Sequence, residues 1–181
     1  ELLPREHREP GPVIVVRTEA FERLPYRLCS LHTEHARQRG ITEHDLEIFV
    51  ARDFLTAAEC EGLMRRSDVD RIPSALLSPS ADPEFRTSES CNLRRDNPFV
   101  QAIEDRITAV MGIDPRYGET IQGQRYDVSQ QFKAHHDFFY QDQGYWEQEK
   151  VKGGQRTWTA MIFLNEPEAG GKTYFPKAGA R

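Results

Sequence analysis

Cysteine is too scarce and too widely spaced here to organise a fold: Cys29, Cys60 and Cys91 are odd in number, and no Cys-x-x-Cys pair occurs. That excludes a disulfide framework or a structural zinc site as the central feature and leaves the three thiols as buried or incidental groups. An excess of positive charge is also lacking. With 24 Lys and Arg against 29 Asp and Glu the net charge is −5, which argues against a general nucleic-acid binder while leaving room for a local basic patch. No apolar run approaches the roughly 20 residues needed to cross a bilayer, and Glu1-Leu2-Leu3-Pro4-Arg5-Glu6-His7 holds no secretory apolar core. Neither nucleic acid nor membrane is therefore expected as a partner, and the expected compartment is the cytoplasm. Histidine runs out early, with six in the chain and none after His136.

What is present suits one soluble globular domain: 181 residues, of which 38% are hydrophobic. Residues 1–12 are rich in charge and proline and read as an irregular lead-in to a short strand at Val13-Ile14-Val15-Val16. Tyr26 to Arg39 has a mixed periodicity that suggests a helix stopped by Gly40, with His32 and His35 on a polar face. Residues 1–45 are taken together as an N-terminal extension. Leu46 to Val50 alternates like a strand, and Thr56-x-x-Glu59 has the form of a capping box opening a helix through about Arg66, with Leu55, Cys60, Leu63 and Met64 as its apolar contacts. Ser67 to Pro83 reads as a loop. Asp96-Asn97-Pro98 opens a second helix, with Phe99, Val100, Ile103, Ile107, Val110 and Met111 on one face and Gly112 just past its end.

From Thr120 the pattern changes to strand-like runs at 120–127, 131–139, 157–164 and 172–176, separated by turn signals. A β-barrel or double-stranded β-helix follows. Between the second and third runs, Tyr140 to Gln155 is polar and aromatic, with glycines at 144, 153 and 154. It reads either as a lid over a site or as a plain surface hairpin.

The second run contains the candidate chemistry. If Phe132 to Phe139 is extended, His135 and Asp137 point to the same face, roughly 6.6 Å apart at Cα, and His136 faces away. An imidazole and a carboxylate converging in this way are two thirds of a 2-His-1-carboxylate facial triad, which leaves positions open on Fe(II). His-x-Asp alone is weak evidence, because such pairs are common on solvated surfaces.

Its flanks are more specific. Gln122-x-x-Arg125-Tyr126, the nine-residue step to His135, Gly153-Gly154-Gln155-Arg156, Phe163-Leu164-Asn165 and Gly170-Gly171-Lys172-Thr173-Tyr174-Phe175-Pro176 follow in this order. The succession resembles the prolyl 4-hydroxylase family of iron- and 2-oxoglutarate-dependent dioxygenases, over Leu46 to the C-terminus. The resemblance implies an α+β fold with a double-stranded β-helix (jelly-roll-like) core and packed N-terminal helices. It implies His135 and Asp137 as metal ligands, Tyr126 and Thr173 as contacts to 2-oxoglutarate, and Arg156 as a contact to peptide substrate. The implied cofactors are Fe(II), 2-oxoglutarate and O₂, with ascorbate as reductant. The implied reaction couples decarboxylation of 2-oxoglutarate to hydroxylation of a proline in a protein or peptide. Arg86-Thr87-Ser88 resembles a short family motif, although a strand start whose hydroxyls satisfy backbone groups explains it equally well.

The chain also departs from that pattern. Ala134 stands where many members have proline, Phe132 and Phe163 where tyrosine is frequent, and no distal histidine or following basic residue is found after His136. Residues 46–181 are therefore expected to be the N-terminal part of a longer catalytic domain, lacking the second half of the barrel and inactive alone. Two alternatives stand beside this reading: a non-catalytic β-barrel binding module, and an oxygenase of a free amino acid or other small molecule.

Overall fold

The computed structural model describes residues 13–17, 29–30, 47–51, 54–156 and 158–175. They fall into two compact units, one drawn from Glu1–Leu63 and Thr157–Arg181, the other from Met64–Arg156.

The first unit holds a four-stranded antiparallel sheet. β1 (Val13–Arg17) lies between β3 (Glu47–Ala51) and β7 (Trp158–Ile162), with Val15 opposite both Phe49 and Ala160; β2 (Cys29–Ser30) pairs outside β3. The strands expected near residues 13, 46 and 157 are thus present. The helix expected over Tyr26–Arg39 is interrupted, because Cys29 and Ser30 form the β2 ladder with Val50 and Phe49. His32 and His35 lie outside the described residues. Val13–Arg17, inside the expected extension, supplies a central strand of this sheet.

α1 (Ala57–Ser67) starts at the expected capping box. Thr56 Oγ1 accepts from Glu59 N at 3.2 Å, and Thr56 N donates to Glu59 Oε2 at 2.8 Å, so two otherwise orphaned donors are satisfied reciprocally. Glu59 in the first turn and Arg65 and Arg66 in the last complement the helix dipole. Leu55, Cys60 and Leu63 are buried, as the apolar spacing predicts.

The second unit contains an antiparallel sheet in the order β4 (Ile72–Pro73), β5 (Glu89–Asn92), β6 (Gln122–Arg125). β4 is a correction to the loop expected over Ser67–Pro83. α2 (Pro98–Met111) begins and ends where the sequence signals place it. Asn97 Oδ1 accepts from Phe99 N at 3.0 Å, Val100, Ile103, Val110 and Met111 are buried, and Gly112 closes the helix in the left-handed region at φ 65°. β6 is pinned to α1 by a close approach. A Cβ on Gly123 would lie 2.8 Å from Ser67 Cβ and overlap Ser67 Oγ, so only glycine lets the strand pass here.

The expected barrel is not closed among the described residues. β2 and β7 end one sheet, and β4 and β6 end the other. A barrel needs every strand paired on both sides, so the core is α+β and only partly jelly-roll-like. Two expected strands are reduced to bridges among the described residues. Within 131–139 a single bridge, Arg86 to Phe132, remains, and of the run expected at 172–176, residues 172–174 have no regular structure, Phe175 sits in a bridge and Pro176 lies outside the described residues. The region expected as a lid or hairpin, Tyr140 to Gln155, holds the short helix α3 (Trp146–Lys152) where a hairpin would need paired strands. Among the described residues, no helix is long and apolar enough to cross a membrane.

Gly123→Ala should lower stability by about 1–3 kcal/mol, the usual cost of overpacking a filled site, with Ser67→Gly restoring part of the loss. Denaturant unfolding of the single and double variants checks this; additive losses would mean that the two residues do not press on one another.

Candidate metal and cosubstrate site

His135 and Asp137 do converge, although no strand aims them. The chain bends at Ala134, and Phe132 and His135 stack with centroids 3.7 Å apart. His135 Nδ1 lies 2.7 Å from the Lys133 carbonyl. A carbonyl can only accept, so Nδ1 carries the hydrogen and Nε2 is left to face Asp137 Oδ1 across 3.3 Å. In a neutral ring that arrangement sets a nitrogen lone pair against a carboxylate, which is favourable only with a positive centre between them. A proton meets this need, and so does a metal ion. First-row divalent ions bind such donors at about 2.0–2.2 Å, and cis positions then place the donors roughly 3 Å apart. The observed separation fits. No third His, Cys, Asp or Glu joins these two as a metal-binding group among the described residues.

Other elements hold this irregular segment. Lys133 N donates to Phe85 O at 2.9 Å, Thr87 N to Gln131 O at 2.9 Å, and Gln131 N to Thr87 Oγ1 at 2.9 Å. Lys133 Nζ pairs with Asp82 at 2.7 Å. Thr87 therefore works as a backbone partner, and buried Ser88 pairs with the Ser74 hydroxyl at 2.9 Å. At the far end, the buried Phe139 is gripped by Gln155, whose Oε1 accepts from Phe139 N at 2.6 Å and whose Nε2 donates to Phe139 O at 2.9 Å. The His136 Nδ1 lies 3.3 Å from the Tyr140 hydroxyl, and its ring is against Phe138.

Arg156 sits beside Asp137. Its Nη1 donates to the Asp137 carbonyl at 3.3 Å, its Nε and Nη2 grip both Glu119 carboxylate oxygens, and its guanidinium lies 4.3 Å over the Phe139 ring. Tyr126 is exposed and its hydroxyl donates to Gln124 Oε1 at 3.0 Å. Gln124 donates to Gln122 Oε1 at 3.0 Å, which also accepts from Arg86 Nη2 at 2.9 Å. These four residues form a polar row, of which the motifs named Arg86, Gln122 and Tyr126 but not Gln124, and assigned a site role to Tyr126 alone. The signal available was β6 periodicity, since 122, 124 and 126 share one strand face. Burial draws Arg86 below its ordinary pKa, and Tyr126 and Asp137 oppose that shift through their charges. Thr173 belongs to the other unit, where its hydroxyl donates to Met161 Sδ at 3.4 Å.

The hydrogen bond that a protonated His135 donates to Asp137 raises the His135 pKa above its ordinary value near 6.5, against desolvation; the Lys133 carbonyl adds to the rise, and Arg86 opposes it. Because the folded-state value is the higher one, this pair stabilises the fold fully below the ordinary pKa, and the contribution is lost as pH rises through the raised value. The proton competes with any metal, so metal affinity should climb over the same interval. Asp137→Asn should bring the His135 titration down, read from its ring-carbon protons by NMR, whereas His136→Ala should leave it in place. An unmoved His135 in the Asn variant would rule out the carboxylate as its partner.

No family model matches the chain. Several curated proteins do. It is 36% identical over 135 residues to the probable prolyl 4-hydroxylase 8 of Arabidopsis thaliana, covering 72% of this chain and 45% of that protein. It is 34% identical over 139 residues to prolyl 4-hydroxylase 1 of the same plant, covering 73% and 47%. A putative prolyl 4-hydroxylase of Acanthamoeba polyphaga mimivirus is 28% identical over 128 residues, covering 71% and 52%. The chain spans about half the length of the curated relatives it matches. This homology supports membership of the chain in the prolyl 4-hydroxylase family of 2-oxoglutarate-dependent dioxygenases.

Proposed function

We propose that the protein is a prolyl 4-hydroxylase-like dioxygenase, coupling oxidative decarboxylation of 2-oxoglutarate to hydroxylation of a prolyl residue in a protein or peptide. The observation that carries this reading is His135 Nε2 facing Asp137 Oδ1 across 3.3 Å, with Nδ1 anchored to a carbonyl, in a chain homologous to prolyl 4-hydroxylases.

His135 and Asp137 would hold Fe(II) in part; when bound it would supply O₂ activation, with 2-oxoglutarate as the consumed cosubstrate and ascorbate as the reductant. The chain's own groups bind and orient. Tyr126 offers a phenol to a 2-oxoglutarate carboxylate, extended by the Gln124 and Gln122 amides behind it. Thr173 donates only to a thioether, a weak acceptor that a carboxylate would readily displace. Arg156 has three N–H groups engaged by Glu119 and the Asp137 carbonyl, and the rest of its five donors can meet a peptide carbonyl.

The test is succinate release from 2-oxoglutarate by the full-length protein with Fe(II), ascorbate and a proline-containing peptide. Peptide-dependent succinate, abolished by His135→Ala and reduced much less by His136→Ala, is the expected result. Turnover that persists in the His135 variant would overturn the ligand assignment, and stimulation by a free amino acid but by no peptide would move the substrate to a small molecule.

A further inference from the structure

His135 lies outside any ladder, and its Nδ1 hydrogen bond to the Lys133 carbonyl is a pivot. A pivot leaves the ring free to tilt about the N–H···O line, so that bond alone does not aim Nε2. The plane has a second constraint. The Phe132 and His135 rings are stacked, 3.7 Å between centroids with 16° between planes. The Arg86 guanidinium carbon lies 4.5 Å from the Phe132 centroid. Both groups cannot occupy one face of a six-membered ring at those distances, so Phe132 is sandwiched between them.

Arg86 is itself immobilised. Nη1 donates to the Ala75 carbonyl at 2.8 Å and Nη2 to Gln122 Oε1 at 2.9 Å, while Nε is buried without a hydrogen-bond partner. Phe132 is further fixed by its bridge to Arg86 and by the edge of Phe85 at 5.9 Å. The guanidinium therefore sits over the ring from a braced position, as in a cation–π contact.

We infer that Phe132, backed by Arg86, is a positioning residue that sets the plane of the His135 imidazole and so keeps Nε2 directed at Asp137. The inference rests on the metal-ligand reading of the pair, but the stack can be measured without metal. Neither residue touches the reacting atoms in this role. It acts as the outer support of a ligating histidine does, and loss of such support typically costs 10- to 100-fold in metal affinity.

The experiment uses the full chain labelled for NMR, with Phe132→Leu, Phe132→Tyr and Arg86→Met variants, each also titrated with Mn(II) alone at one pH. In the unaltered chain the His135 ring protons should be shifted upfield by the Phe132 ring current. Phe132→Tyr should keep that shift and the Mn(II) affinity. Phe132→Leu should abolish the shift and weaken Mn(II) by about tenfold, and Arg86→Met should weaken it by less. Equal Mn(II) affinity in the Leu and unaltered chains, or no upfield shift in the unaltered chain, would overturn the inference. If Phe132→Leu does not fold, Phe132→Tyr and Arg86→Met decide: a shift lost with Tyr, or left unreduced by Met, counts against it. Absence of Mn(II) binding by the unaltered chain would defeat the metal reading instead, and the ring-proton shifts in the same samples would still decide the stack.

Discussion

The site depends on one constraint: the segment from Phe132 to Phe139 carries both candidate donors without a β-ladder to hold it. Backbone pairing normally fixes where a strand's side chains point. Beyond the Arg86–Phe132 bridge, that work falls to side chains. Phe132 and Phe139 anchor the two ends, each faced by an arginine, and Gln155 replaces the missing ladder at Phe139 with its own amide. Both arginines also reach beyond the segment, Arg86 to Ala75 and Gln122, Arg156 to Glu119. A short irregular stretch is thereby held from several sides.

Electrostatics explains why such bracing is needed. An imidazole nitrogen and a carboxylate oxygen held 3.3 Å apart attract one another only through something positive between them, and otherwise they tend to separate. The scaffold keeps the receptor for that charge assembled. Two guanidinium groups stand nearby, with Arg86 in the field of Asp137 and Arg156 on its carbonyl. Arg86 binds Ala75 and Gln122, and Arg156 binds Glu119 and the Asp137 carbonyl, so neither supplies the bridging charge between the two donors.

Local signals translated well wherever the chemistry was local. The Thr56–Glu59 box, the Asn97-Pro98 start and the Gly112 stop are each complete within a few residues, and the helices form where they say. Apolar runs at 13–17, 47–51 and 158–162 became strands for a similar reason, since any partner with unpaired backbone would serve them. Residues 131–139 misled because their aromatic alternation resembles a strand, while beyond the Arg86–Phe132 bridge Phe139 bonds its backbone to the Gln155 side chain rather than to a neighbouring strand. The polar run at 146–152 reads as loop and folds as a short helix through i,i+3 ion pairs, Glu147 with Lys150 and Glu149 with Lys152.

By itself, the sequence determined which donors were available, and it paired His135 with Asp137 on the premise of a strand that does not form. It also determined the two capped helices and the ordered motifs that pointed to a family. Only the tertiary structure decided how the donors meet: through a bend at Ala134 rather than a strand, with Arg86, Gln122 and Gln124 brought alongside from elsewhere in the chain. The physical reason is one of range. Caps and periodicity act over a few residues, whereas the sandwich on Phe132 joins positions 46 residues apart, and no local pattern records such a contact.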